Sequence, residues 1–236
     1  MDDYKRTHDN LYLDSEAEDE PKYSFVRAAE LISTFHAESR GKKILDVGCA
    51  VGHFPNYLQG RFPRANVVGL EYLPSLVSQG KEFFPDLDLR TGSILNSSMF
   101  EKETFDTVTV MGVLQIFDDP KVVLQNVFGW LRGGGQLIIH GLFNEFDVDV
   151  FVKYRGSGEE NTQVGWNIFS MKTIRTIAAE CGAKSVKFHG FELPFDLAKR
   201  ENDPLRSWTE RASDGSRTIT NALHIRQPQF IAEITR

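Results

Sequence analysis

Between Lys43 and Gly52 the chain reads Lys-Ile-Leu-Asp-Val-Gly-Cys-Ala-Val-Gly, a short apolar strand running into small residues that turn the backbone. The run does not alternate polar with apolar, so it reads as a strand covered on both faces. Glycines at its end let a ligand approach the backbone without Cβ clashes. The same rhythm continues along the chain. Residues 66–71, 87–90, 105–111, 136–140, 185–191 and 229–235 read as further strands. A helix opens at Lys22, with Phe25, Ala28, Ala29, Ile32 and Phe35 at spacings of three and four, and closes at Ser39-Arg40-Gly41. Others cover Phe54–Leu58, Pro74–Phe84 and Asp119–Leu131, the last with Pro120 in front and Gly133-Gly134-Gly135 behind. Ser170 reads as the N-cap of a helix through Ala179 that Gly182 ends. Strands alternating with helices form parallel β-α-β units with helices on both faces.

Composition narrows the setting. The chain has 236 residues, and 27 Lys plus Arg against 33 Asp plus Glu give a net charge of −6. An acidic balance argues against a broad nucleic-acid footprint, which needs a basic face. The longest apolar stretches, such as Leu137–Phe143, fall short of the ~20 residues that span a bilayer. Two cysteines, Cys49 and Cys181, make neither a disulfide framework nor a four-cysteine zinc site, and the scattered histidines suggest no metal centre. The expectation is a soluble, cytoplasmic protein, monomer or homodimer, with no membrane or nucleic-acid partner. Residues 1–21 are polar, with Asp14, Glu16, Glu18, Asp19 and Glu20 beside Tyr4 and Tyr12, and read as a tail or a lid. Residues 22–236 read as one domain, in which 142–169 and 193–217 break the strand–helix rhythm.

The chemistry concentrates at two strand ends. Ligands of open α/β sheets bind beyond the carboxyl ends of the strands, where the chain switches direction. Asp46 stands at the tip of the first strand and Glu71 at the tip of the second, 71 − 48 = 23 positions after the first glycine. A carboxylate there accepts two hydrogen bonds from a ribose diol. A dinucleotide site asks for Gly-x-Gly-x-x-Gly and a pyrophosphate on a helix N-terminus. Here the turn is Gly48-x-Ala50-x-Gly52, and an anion at Asp46 repels pyrophosphate but suits an ammonium. The pair favours a ligand with an adenosine end and an amino-acid end.

At this level Lys43–Gly52 resembles motif I of the class I S-adenosylmethionine-dependent methyltransferases, usually Asp-x-Gly-Cys-Gly-x-Gly. Val68–Glu71 is similar to their ribose-binding strand end, Thr91-Gly92-Ser93-Ile94-Leu95 to their adenine-edge loop and Phe105–Gln115 to motif IV. Leu131-Arg132-Gly133-Gly134-Gly135-Gln136-Leu137 resembles the turn into strand five, and the likeness covers about residues 40–143. It implies a doubly wound, mostly parallel seven-stranded sheet with the last strand antiparallel and an insertion after strand five. It implies S-adenosyl-L-methionine as cofactor and S-adenosyl-L-homocysteine as product. The cofactor would be held by Asp46, Gly48, Cys49, Ala50, Gly52, Glu71, Tyr72, Ser93, Ile94, Met111 and Gly112. Ala50 replaces the family's middle glycine, which a negative φ would make tolerable. Ser93 stands where many members carry an aspartate toward the adenine amino group; its hydroxyl, or the backbone of Ile94, would take that bond.

Three residues are candidates for chemistry. His53 follows Gly52, Gln115 follows motif IV, and His140 ends strand five, where an imidazole with a pKa near ~6.5 would suit a base. Each also has a plain structural reading: a first-turn polar residue, a loop amide and a hydrogen-bonded strand end. Tyr154, Arg155, Trp166 and Asn167 in the insertion, with Tyr23 from the first helix, read as walls for a small polar acceptor. A sugar or natural-product intermediate fits that description. An RNA methyltransferase would need Arg155, Lys153, Arg132 and Lys172 to converge on the site. A cofactor-binding protein without catalysis is the third reading.

Overall fold

The computed structural model describes residues 20–35 and 41–236; Tyr4, Tyr12, the acidic cluster up to Asp19 and the Ser39-Arg40 helix end lie outside them. In chain order the elements are α1 (Tyr23–Phe35), β1 (Lys43–Val47), α2 (His53–Arg61), β2 (Asn66–Glu71), α3 (Pro74–Phe83) and β3 (Asp88–Thr91). There follow β4 (Phe105–Met111), α4 (Pro120–Trp130), β5 (Leu131–Asn144), β6 (Lys153–Tyr154), β7 (Gln163–Val164) and β8 (Phe169–Ser170). The chain closes with α5 (Met171–Glu180), β9 (Ser185–Gly190), β10 (Trp208–Arg211), β11 (Arg217–Thr220) and β12 (Gln229–Thr235).

Seven strands form the main sheet in the order β3-β2-β1-β4-β5-β12-β9, and β8 adds a short parallel pairing to the end of β5. β12 runs antiparallel to both of its neighbours, and the other pairings along the path are parallel. The Asp119 side chain caps α4 through the Lys121 N–H at 2.8 Å. Ser170 caps α5 in the same way, accepting from the Thr173 N–H at 3.0 Å. α5 ends where Gly182 takes φ +89 and the Ala183 N–H returns to the Ala178 carbonyl.

Alternate residues of the strands feed two cores. On one face Leu45, Val47, Val108 and Val110 meet Val123, Leu124 and Val127 of α4 and Ile174 of α5. On the other, Ile44, Val67, Ile138 and Ile231 meet Ala28, Ala29 and Ile32 of α1 and Phe54 and Leu58 of α2. Burial of that apolar surface holds the layers together.

Two elements differ from expectation. β5 is longer than 136–140, because Leu131 pairs with Phe105 before the glycine triplet and Leu142 pairs with Gln229 after it. The triplet becomes a bulge, with Gly134 at φ +77, instead of a boundary. The polar stretch 193–217 carries strand, for β10 lies within it and pairs antiparallel with the whole of β11, which begins at Arg217. Among the described residues no helix is long and apolar enough to cross a membrane.

Candidate active site

β1 and β4 end side by side, since the chain winds outward through β2 and β3 and returns to the other side of β1. A ligand crevice in such a sheet lies beyond that switch point. Asp46 is 1 % exposed and accepts a 2.7 Å hydrogen bond from the Thr109 hydroxyl, its register partner on β4. Burial raises its pKa to about 7; Thr109 works against the shift and the Glu71 charge adds to it. Glu71 ends β2, buried. One of its carboxylate oxygens accepts the Ala50 N–H at 3.0 Å and the other the Leu73 N–H at 3.0 Å. The same acid therefore ties the turn after β1 to the turn after β2.

Backbone bonds complete the turn. The Gly48 and Cys49 N–H groups both donate to the Leu70 carbonyl, at 2.7 and 3.1 Å, and the Gly52 N–H donates to the Cys49 carbonyl. Gly48 (φ +74) and Gly52 (φ +93) lie in the left-handed region. Ala50 does too, at φ +48, which corrects the expectation of a negative φ. A side chain in that region costs roughly 1–2 kcal/mol, and here Glu71 holds the strained N–H in place. Cys49 is buried, and burial with the nearby acids pushes its thiol well above the ordinary range, so it packs as a protonated thiol.

The remaining residues sort by place. Tyr72 is exposed beside Glu71. The Ser93 hydroxyl oxygen accepts the Leu95 N–H at 3.2 Å, and Ile94 is buried with its carbonyl bonded by the Asn126 amide at 2.8 Å. Met111 ends β4, and just beyond it the Gly112 N–H extends the ladder to the His140 carbonyl. Gly112 holds φ +75 with open space where a side chain would stand. His53 opens α2 and lies edge-on to Phe84, ring centroids 5.6 Å apart, at the end of α3.

His140 stands opposite Met111 in register, and its Nε2 meets the Gln229 amide oxygen at 2.9 Å. Burial lowers its pKa to about 4, with Lys22 adding to the fall and the Gln229 bond opposing it. This corrects the expectation of an unshifted base near ~6.5. Gln115 is 1 % exposed, and neither atom of its amide meets a partner among the described residues. The amide occupies the space that a side chain at Gly141 would fill.

The structure divides the expected acceptor wall. Asn167 is consumed within the protein. Its carbonyl accepts the Val152 N–H, and its amide donates to the Phe117 carbonyl and to Asp118. It is a clamp for the insertion, which corrects its reading as an acceptor contact. The Tyr154 hydroxyl bonds Gln163 across the small β6–β7 hairpin, Arg155 is exposed and Trp166 is half-buried. Tyr23 has a different setting. Its ring lies 5.8 Å from Phe191 and 6.5 Å from Phe195, and Phe191 lies 5.7 Å from His140. Phe191, Phe195 and Gln229 had no local signal, because their partners lie far along the chain.

Two neighbouring strand ends thus carry buried acids joined by a left-handed turn, and residues 45–139 match the family described as "Methyltransferase domain". Over those residues the chain carries the methyltransferase domain of the class I S-adenosylmethionine-dependent type. That domain implies S-adenosyl-L-methionine as cofactor. This methyltransferase is similar to the malonyl-[acyl-carrier protein] O-methyltransferase of Paenibacillus sp. (strain JDR-2), 24 % identical over 67 % of this chain and 63 % of that protein. It is likewise 24 % identical to the tRNA U34 carboxymethyltransferase of Campylobacter hominis, over 81 % of this chain and 64 % of that protein. The chain spans somewhat under two thirds of the length of these relatives. A chain of the complex between the Haloferax volcanii Trm112 methyltransferase activator and a methyltransferase shares the fold, with TM-score 0.64, 15 % identity and 98 % of each chain covered.

The methyltransferase's residues fit the cofactor. A carboxylate has about four lone-pair sites, so Glu71 has the chemistry to hold the turn and to accept from a ribose diol. Burial disfavours the charged form of Asp46, and a cation placed against it would offset that, which an ammonium supplies. Ala50→Gly should relieve the left-handed strain and raise stability by about 0.5–1 kcal/mol, net of glycine's greater freedom when unfolded. Urea denaturation followed by fluorescence measures it; a lower midpoint would show that Ala50 carries no strain.

Proposed function

We propose that this methyltransferase transfers the methyl group of S-adenosylmethionine to a small polar acceptor, of the size of a sugar or a natural-product intermediate. The carrying observation is the aromatic wall of Tyr23, Phe191 and Phe195 beside His140, at the end of the strand next to β4. Asp46 would hold the ammonium end of the cofactor, Glu71 the ribose, and Met111 and Gly112 the boundary with the acceptor. When bound, the cofactor supplies a methyl on a sulfonium, which leaves behind a neutral thioether. The chain then has to orient the acceptor, keep water out and receive a proton.

Charge supports the small acceptor over RNA. Lys153 is paired with Asp118 at 2.6 Å, Lys172 with Asp147 at 2.7 Å and Arg132 with Asp106 at 3.1 Å. Arg132 also belongs to the opposite, amino-terminal end of β5. Of the four cations an RNA reading calls on, three are thus answered by acids. Assay with methyl-tritiated S-adenosylmethionine separates the readings. Label should pass to a small-metabolite extract and not to bulk tRNA; label found in tRNA instead would sink the proposal.

The two shifted groups also predict a pH signature. Asp46 has a folded pKa above its unfolded ~3.9, so its protonated form stabilises the fold at low pH and that contribution is lost as pH rises through about 7. His140 has the opposite sign. Its folded pKa is below its unfolded ~6.5, so its contribution is present above that value and lost as pH falls through about 4. In the protein without cofactor the two slopes oppose each other. Asp46→Asn should therefore gain thermal stability over wild type by an amount that widens between about pH 5 and about pH 8. Adding S-adenosylhomocysteine, whose ammonium would neutralise Asp46, should shrink the difference at the higher pH. A difference independent of pH would show that Asp46 is not the buried titrating group.

A further inference from the structure

His140 makes one hydrogen bond through Nε2, and Nδ1 meets no partner among the described residues. The partner of Nε2 is itself oriented. The Gln229 side-chain nitrogen donates to the Gln227 carbonyl at 3.1 Å, which turns the Gln229 amide oxygen, an acceptor only, toward the imidazole. An imidazole facing that oxygen must carry its proton on Nε2, leaving the lone pair on Nδ1. The ring is placed from both strands that flank β5. β4 sets its height through the Gly112 N–H on the His140 carbonyl, and β12 sets its rotation through Gln229. Lys22, at the start of α1, is the charged group acting on it.

We infer that Gln229 is a positioning residue that locks His140 in the Nε2–H form, so that Nδ1 accepts a hydrogen bond from a nucleophile bearing its own proton, a hydroxyl or a neutral amine, and not from a carboxylate. This rests on the reading of the aromatic wall as the acceptor side. A carboxylate has no proton to offer Nδ1, and two lone pairs facing each other repel. With a protic acceptor the step balances. The nucleophile's lone pair forms the new bond to the methyl carbon while the carbon–sulfur pair stays with sulfur, and the released proton passes through Nδ1 to solvent. The imidazole is neutral throughout the physiological range, so its Nδ1 lone pair is free to accept the hydrogen bond, and its low basicity hands the proton straight on.

The test uses the isotope-labelled full chain with S-adenosylhomocysteine bound, and imidazole nitrogen NMR near neutral pH. Wild type should show His140 as the Nε2–H form. Gln229→Leu should convert it to a mixture of both forms, and Gln229→Glu should restore Nε2–H and move the protonation midpoint upward from about 4. Saturating phenol should perturb the Nδ1 resonance, and saturating benzoate should leave it unmoved. A proton on Nδ1 in wild type, or an unchanged form in Gln229→Leu, overturns the positioning role; an Nδ1 response to benzoate, or none to phenol, overturns the acceptor class. Calorimetry on the same samples should give equal S-adenosylhomocysteine affinity in all three proteins. Loss of binding in wild type would instead count against the cofactor assignment.

Discussion

Glu71→Gln is expected to weaken S-adenosylhomocysteine binding at least about 100-fold, a loss of roughly 2.7 kcal/mol, measured by isothermal titration. The reason is double. The carboxylate accepts the Ala50 and Leu73 N–H groups on its two oxygens, and glutamine would turn an NH2 donor against one of them. A buried N–H left facing a donor costs about 1–3 kcal/mol, and the strained turn at Ala50 loses the bond that holds it. The ribose diol would also lose half of its acceptor. Removing the charge has a compensating effect on Asp46, whose pKa should fall because Glu71 is one of the causes of its rise. Affinity in Glu71→Gln within a few-fold of wild type would mean that the acid serves the turn alone.

Gly48→Ala should have the next largest effect, and here steric and torsional terms add. A Cβ at position 48 would stand 2.3 Å from Cγ2 of Val113, a β-branched side chain held just beyond the end of β4. The residue would also have to adopt φ +74. Together these should cost about 3 kcal/mol, or roughly 6–12 °C in melting temperature for a chain of this size. Val113→Ala placed in the same protein removes the clash but not the torsional term, so it should recover about half of the loss. If Val113→Ala recovers nothing, the cost of Gly48→Ala lies wholly in the backbone.

Much of the frame was legible because it is local. The strands near 43–47, 66–71 and 105–111 declare themselves by short clusters of apolar and β-branched residues, and Asp119, Ser170 and Gly182 mark helix ends by bonds that span only a few residues. The resemblance carried further, since the spacing of Asp46, Gly48 and Glu71 in one β-α-β unit already reports which groups meet at its tip.

What the sequence by itself determined is the set of strand ends that bear acids and the small-residue turn between them, because strand, turn and helix are settled by neighbours a few positions apart. The tertiary structure alone decided the protonation and company of those groups. His140 loses its basicity through burial and takes its orientation from Gln229, 89 residues away. Asn167 is spent on clamping a loop 50 residues distant, and Ala50, at positive φ, gives its N–H to an acid on the next strand. Desolvation and hydrogen-bond partnership depend on which surfaces the fold brings together, and no local pattern encodes that.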